Sequence, residues 1–311
     1  MLCLEITPMT QAIFARRAPA TTVYDFTGAA LPPGIGLTRA STGTGFGPTG
    51  TILSFASGAP RLSADPALPA AGKGLLVEPS RTNLFTYSEG NASTWSNTSA
   101  VTTNLALNAL GRFAGIQIAA LNNNQNWNRT RKFVDLTAAQ PCVATVFYRA
   151  GTSGKGLFMF KQEPSGSTSE AQGSIGSLAV SGTSAGSISI LSDILLGDGL
   201  TRRLRLGFTP AITSTHSLGI GPFTTVSGET IVVLGVQIET GSFATSYIPT
   251  TASAVMRAAE AISSSLSAGT YNAVATAVGG GIQTLSGIAL AAGGWPVLGS
   301  RHLARVEFTR A

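Results

Sequence analysis

Residues 235 to 260 read Gly235-Val-Gln237-Ile-Glu239-Thr-Gly241-Ser-Phe-Ala-Thr245-Ser-Tyr247-Ile-Pro249-Thr-Thr-Ala-Ser-Ala-Val-Met-Arg257-Ala-Ala-Glu260. The first part continues a strand that begins near Thr230. Leu234, Val236 and Ile238 fall on one face, and Gly235, Gln237 and Glu239 fall on the other, the period of two of a half-buried strand. Gly241 permits a turn. Pro249 disfavours helix at Ile248, so Ser242 to Thr251 is predicted to run extended. The stretch therefore reads as a strand, a corner and an ordered crossing segment.

Composition extends that reading to the whole chain. Of 311 residues only 11% are charged, 43% are hydrophobic and 37 are glycine. This pattern argues against a helical enzyme and fits many short strands joined by tight turns. A chain of this length can bury a sizeable core.

A second conspicuous segment, Gly74-Leu-Leu-Val-Glu78-Pro79-Ser80-Arg81-Thr82-Asn83-Leu84, precedes the first by about 160 residues. Pro79 fixes the backbone between Glu78 and Arg81, which are expected to pair, and Asn83 is expected to cap its own turn. Together with Gly235-x-Gln237-x-Glu239-x-Gly241, Thr245-Ser246-Tyr247-Ile248-Pro249-Thr250 and Arg257-Ala258-Ala259-Glu260, it resembles the paired opening and closing signatures of a family of virion proteins. These proteins occur on tails and capsids of bacteriophages and of phage-derived gene transfer agents. The resemblance covers residues 74 to 260. It implies a jelly-roll or concanavalin-like, carbohydrate-binding-type β-sandwich. It further implies a head spike, tail fibre or baseplate component, other virion proteins at the capsid vertex or tail as partners, and host cell-surface polysaccharide as ligand. It carries no catalytic residue across.

The expected organisation is an N-terminal arm or anchor over 1–20, a β-sandwich over 21–260, and C-terminal strands over 261–311 that return to the sheet or form a subunit contact. Homo-oligomerisation is expected of an appendage on a symmetric particle. The N-terminus lacks a secretory pattern, and no run of eighteen apolar residues predicts membrane insertion. The expected location is the virion, after synthesis in a bacterial cytoplasm and release by lysis.

The net charge of +6 and the isoelectric point near 9.7 describe a basic chain. Its cations are spread thinly, without a recognised module or basic–aromatic interleaving, so no nucleic-acid partner is expected. Cys3 and Cys142 form neither a disulfide framework nor a zinc motif. The string Gly45-x-Gly47-x-x-Gly50 contains Pro48 and is followed by strand-like sequence, so it reads as a hairpin loop and no cofactor is expected.

The candidate ligand contacts come from two places. The loop Leu121-Asn122-Asn123-Asn124-Gln125-Asn126-Trp127-Asn128 joins amides, which bond sugar hydroxyls, to an indole that stacks on a pyranose face. Trp127, Asn122, Asn123, Asn124 and Asn126 are the predicted set. Arg203 and Arg205 alternate with Leu204, Leu206 and Phe208, which places two guanidiniums on the solvent face of one strand, about 7 Å apart. They are candidates for a carboxylate or sulfate.

His216 reads as an exposed loop residue. Neither histidine belongs to a metal-ligand motif, and there is no Gly-x-Ser-x-Gly elbow. Glu163, Glu170, Asp193, Asp198, Glu229 and Glu239 offer carboxylates without a recognisable hydrolase pair. The chain is therefore read as a binding protein and not an enzyme. A purely architectural spike base or adaptor is the alternative, and a polysaccharide depolymerase the second.

Overall fold

A computed structural model describes residues 20–121 and 124–311. The expected arm over 1–20 lies, save Ala20, outside the described residues. The described chain is all-β, with a single short 3-10 turn at Pro69–Ala71.

Two six-stranded antiparallel sheets form a sandwich. In the inner sheet the order is Gly186–Leu195, Thr201–Pro210, Cys142–Ala150, Thr230–Thr240, Ile116–Ala120 and Ala100–Asn104. In the outer sheet it is Ser177–Thr183, Thr168–Ser174, Lys155–Gln162, Ser214–Gly221, Arg129–Leu136 and Ser96–Thr98. Alternating apolar residues from both sheets fill the space between them, among them Val146, Tyr148, Phe158, Phe160, Leu206 and Phe208. The rings of Phe160 and Phe208 stack across the core with centroids 4.1 Å apart.

Strands on either side of the sandwich in sequence join one another. Ile282–Leu290, Gly269–Ala277, His302–Arg310, Lys73–Leu76, Leu62–Ala64, Gly43–Phe46 and Ile52–Phe55 lie in that order, and Thr21–Asp25 also pairs with His302–Arg310. This third sheet has its own core around Tyr24, Phe26, Tyr271, Trp295 and Phe308. The segment 21–260 is thus divided between two sheet systems, with the sandwich strands running from Ser96 to Thr240. Low charge and abundant turns signal strands, whereas which strands pair is decided by contacts far apart in sequence. The Gly45–Gly50 string is a hairpin loop, closed by Gly47 N–H to Thr51 C=O at 2.8 Å, with Gly50 at φ +79°.

The strand Thr230–Thr240 departs from its expected pattern in two ways. It is buried on both faces, because its outer face is covered by the 242–251 segment and by the Gly43–Phe46 hairpin. It also carries a β-bulge: Phe147 opposes Gly235 while Tyr148 opposes Val233, which leaves Leu234 as the extra residue. Leu234 therefore packs outward with Phe113, Phe147 and Tyr247, while Val233, Val236 and Ile238 face the sandwich core. An inserted residue reverses the face of everything on one side of it.

Candidate functional site

The residues of the two signatures meet where the sandwich joins the third sheet. The two-stranded pairing of Arg81–Asn83 with Val255–Arg257 brings the segments together. Below it lies a buried network of three arginines and two glutamates. Glu78 accepts from Arg61 Nη1 at 2.8 Å, from Ser246 N–H at 2.8 Å, from Ser246 Oγ at 2.7 Å, and from Arg257 Nη1. Glu260 accepts from Arg39 Nη1 at 3.0 Å, from Arg61 Nε at 2.7 Å and, through its other oxygen, from the Glu78 N–H at 2.9 Å. Burial alone would raise the Glu78 pKa, but Arg257, Arg61 and the Ser246 hydroxyl outweigh it and bring it down to about 2.

Arg81 is not the partner of Glu78. Its guanidinium lies over the Phe243 ring at 4.6 Å, with Arg301 over the same ring at 3.3 Å. Pro79 holds the chain so that its carbonyl accepts from Arg257 Nη2 at 2.7 Å, and this leaves Arg257, not Arg81, against the Glu78 carboxylate.

The amides of the signatures are also structural. Asn83 accepts from Phe85 N–H, the expected local cap, and from Ile238 N–H, both at 3.0 Å, and donates to Ile248 C=O at 2.7 Å. Gln237 bonds Ile248 N–H and Ser246 C=O, and Glu239 accepts from the Thr245 backbone and hydroxyl. These contacts pin the crossing segment to the outer face of Thr230–Thr240. Arg39 and Arg61 escape a sequence reading, because no local pattern marks them and the partner they share, Glu260, is about two hundred residues away.

The amide-rich loop lies at one end of the sandwich, before Arg129–Leu136. Trp127 is 40% exposed, whereas Trp95 is buried with its Nε1–H on the Tyr87 carbonyl at 3.1 Å. Beneath the loop, buried Arg129 places its guanidinium 5.3 Å from the Trp127 ring centroid and donates to the Trp127 carbonyl at 2.9 Å. Asn128 is buried and donates to the carbonyls of Gln125 and Thr224. Two glycines opposite make room: a Cβ at Gly219 would come within 2.6 Å of Arg129 Cδ, and one at Gly221 within 1.8 Å of the Asn128 carbonyl. Asn124 is exposed and Asn126 partly so. Asn122 and Asn123 lie outside the described residues.

Arg203 and Arg205 correct the expectation of a solvent face. That side of the sheet is covered by the Gly43–Phe46 hairpin, so Arg203 is only 6% exposed and lies over the Phe46 ring at 5.4 Å. Arg205 is partly exposed. Burial, then the like charge of Arg205, brings the Arg203 guanidinium down to about 9, still a cation at neutral pH. His216 is likewise no loop residue: it is fully buried in Ser214–Gly221, its ring edge-on to Phe208.

The carboxylates considered for hydrolysis are mostly engaged within the chain. Glu163 meets Arg131, Lys161 and Ser217; Asp193 meets Arg202 and Tyr148; Asp198 meets Arg149 and Thr201; Glu229 takes the Thr224 hydroxyl. Burial raises the Glu239 carboxyl against the bonds from Thr245. Among the described residues no cluster of three or more histidine, cysteine or acidic side chains is arranged to hold a metal ion.

No family model matches the chain, and no curated protein matches it. Among solved structures it is similar to a carbohydrate-binding module studied for specific mannan recognition, at 11% identity and a TM-score of 0.31, over 54% of this chain and 98% of that one. A likeness at that score supports no transfer of residues or ligand.

Proposed function

We propose that this chain is a non-catalytic surface component of a phage-like particle, in a head spike, tail fibre or baseplate, that binds host cell-surface polysaccharide. The observation that carries the binding half is the Trp127 loop. An aromatic side chain stands in solvent there, on a loop tied down from below by Arg129 and Asn128 and flanked by amides. A flat apolar ring beside paired donors and acceptors is the chemistry that holds a sugar ring. Engagement of the carboxylates by cations and hydroxyls of the same chain supports binding over hydrolysis.

The particle half rests on the resemblance of the two signatures. Their residues form a buried joint between two β modules, a suitable base for an appendage that must stay rigid under load. The same joint favours the second reading, an architectural adaptor in which the sugar loop is idle. In either case the partners are other virion proteins, the assembly is a homo-oligomer, and the location is the virion.

Binding to surface polysaccharides, compared between wild type and Trp127→Ala, separates the readings. Retention that is lost in the variant, without release of reducing ends, is the expected outcome. Stable oligomers without any retention would favour the adaptor, and released reducing ends would favour a depolymerase.

A further inference from the structure

The outer face of the sandwich's inner sheet holds polar groups that no ion pair accounts for. Across four strands, Ser192, Arg205, Thr145 and Gln237 form one row, and the next row places Ile194, Arg203, Phe147 and Gly235 side by side. Neither Arg203 nor Arg205 takes part in an ion pair among the described residues. The Nε of each, the hydroxyl of Thr145 and the hydroxyl of Ser192 are buried atoms without a hydrogen-bond partner in the protein. Thr145 is 3% exposed and Arg203 6%. Asp65 is the acid whose field reaches both arginines, and Glu78 and Glu239 also reach Arg205.

A buried guanidinium and a partly buried one, neither with an ion-pair partner, are costly. The Phe46 ring offsets part of that cost for Arg203, but it offers no acceptor to the guanidinium N–H groups. The row also has an approach. A groove of about 220 Å³ is lined by Val143, Gly207, Ser189, Leu191 and Ser242. Thr145 and Arg205 are the next residues on the same face of the strands that carry Val143 and Gly207. Partly exposed Arg205 thus lies one same-face residue pair beyond the groove's lining, and Arg203 one pair further.

We propose that Arg203 and Arg205, with the hydroxyls of Thr145 and Ser192, bind one small oxyanion, and that this anion is the carboxylate of an acidic sugar. Guanidiniums present forked donors to carboxylate and sulfate oxygens, and the two hydroxyls complete the donor set. Assigning the anion to a sugar rests on the polysaccharide reading above, whereas the anion site itself does not. The site lies away from the Trp127 loop, and it makes an acidic polysaccharide the substrate class.

The test is calorimetric titration of the full chain with sodium glucuronate and, separately, sodium sulfate, against sodium chloride at matched ionic strength. Wild type, Arg205→Gln, Arg203→Met and Trp127→Ala are compared. The expected result is saturable glucuronate binding in wild type and Trp127→Ala, at least tenfold weaker in both arginine variants. A buried charge without a protein partner also predicts that the Tm of Arg203→Met in chloride is no lower than wild type. Sulfate binding without glucuronate binding would overturn the sugar assignment and leave a site for a free inorganic anion. A response no greater than chloride would overturn the site, as would binding that survives both substitutions. A lowered Tm in Arg203→Met with undiminished binding would make that arginine purely structural. Glucuronate binding in a protein that retains no polysaccharide would refute the proposed function and spare the site; polysaccharide held through Trp127 with no anion binding would do the reverse.

Discussion

Replacing Glu78 by glutamine changes one oxygen to an amide and leaves the volume unchanged, yet it should be among the most damaging substitutions in the chain. The carboxylate receives two arginines, an amide N–H and a hydroxyl at a site where Glu78 is only 6% exposed. With Glu78 ionised, three guanidiniums face two carboxylates; with glutamine they face one. Removing one partner of a buried pair costs ~3–5 kcal/mol. A second route gives a similar figure. The Glu78 carboxyl falls from an ordinary 4.5 to about 2 in the folded chain. At ~1.4 kcal/mol per tenfold change in proton affinity, that difference is worth about 3 kcal/mol.

The sign of the pH dependence follows. A group whose folded pKa is depressed contributes stability that is fully present above its unfolded value, here 4.5, and is lost as pH falls through its folded value, about 2. Urea unfolding of wild type and Glu78→Gln should therefore differ by about 3 kcal/mol near neutral pH. The difference should hold down to about pH 5 and close progressively toward pH 2. A neutral-pH difference below ~1 kcal/mol would show that the Glu78 carboxylate does not hold the joint, as would a gap that does not close on acidification.

Three further outcomes follow from the same geometry. Asn83→Ala removes three hydrogen bonds and leaves the Ile238 and Phe85 N–H groups and the Ile248 carbonyl unserved, so it should cost about 3 kcal/mol in chemical denaturation. Gly221→Ala sets a methyl against the Asn128 carbonyl, so it should move the Trp127 loop and shift the fluorescence of that indole, measured in a Trp95→Phe, Trp295→Phe background with Trp127 as the sole tryptophan. Burial pushes the Cys142 thiol up to about 12; in a Cys3→Ser background a thiol reagent near pH 8 should modify it only after denaturant is added, and rapid native reaction would contradict its placement in the core.

Much of the fold was legible because strands and turns leave local marks. The Gly45–Gly50 string, with Pro48 inside it and Ile52-Leu53-Ser54-Phe55 after it, reads as a hairpin and is one. The corner at Gly241 is equally local, whereas the 242–251 crossing holds no strand and bends at Ser242, Phe243, Ser246 and Thr251. What failed was set by long-range packing. Alternation puts Leu234 on the core face, and the structure puts it on the other, because a bulge leaves no mark in an alternating run. Arg203 read as solvated because alternation identifies the two faces of a strand without saying what covers the second. Sequence proximity pairs Glu78 with Arg81, while its partners in the structure, Arg61 and Arg257, come from either side of the sandwich segment. Of the candidate site, the Trp127 loop could be found from composition. The unpaired row of Ser192, Arg205 and Thr145 exists only once three strands are in register.

An exposed Trp127 on a loop braced by Arg129 and Asn128 is proposed to hold polysaccharide without cleaving it. The most direct measurement is retention of the purified chain on an array of bacterial surface polysaccharides, neutral and acidic, beside Trp127→Ala, with reducing ends assayed in the wash. The expected result is retention by at least one acidic polysaccharide, at least tenfold weaker for the variant, and no reducing ends released. Retention unchanged in Trp127→Ala, or cleavage by the wild-type chain, would contradict it.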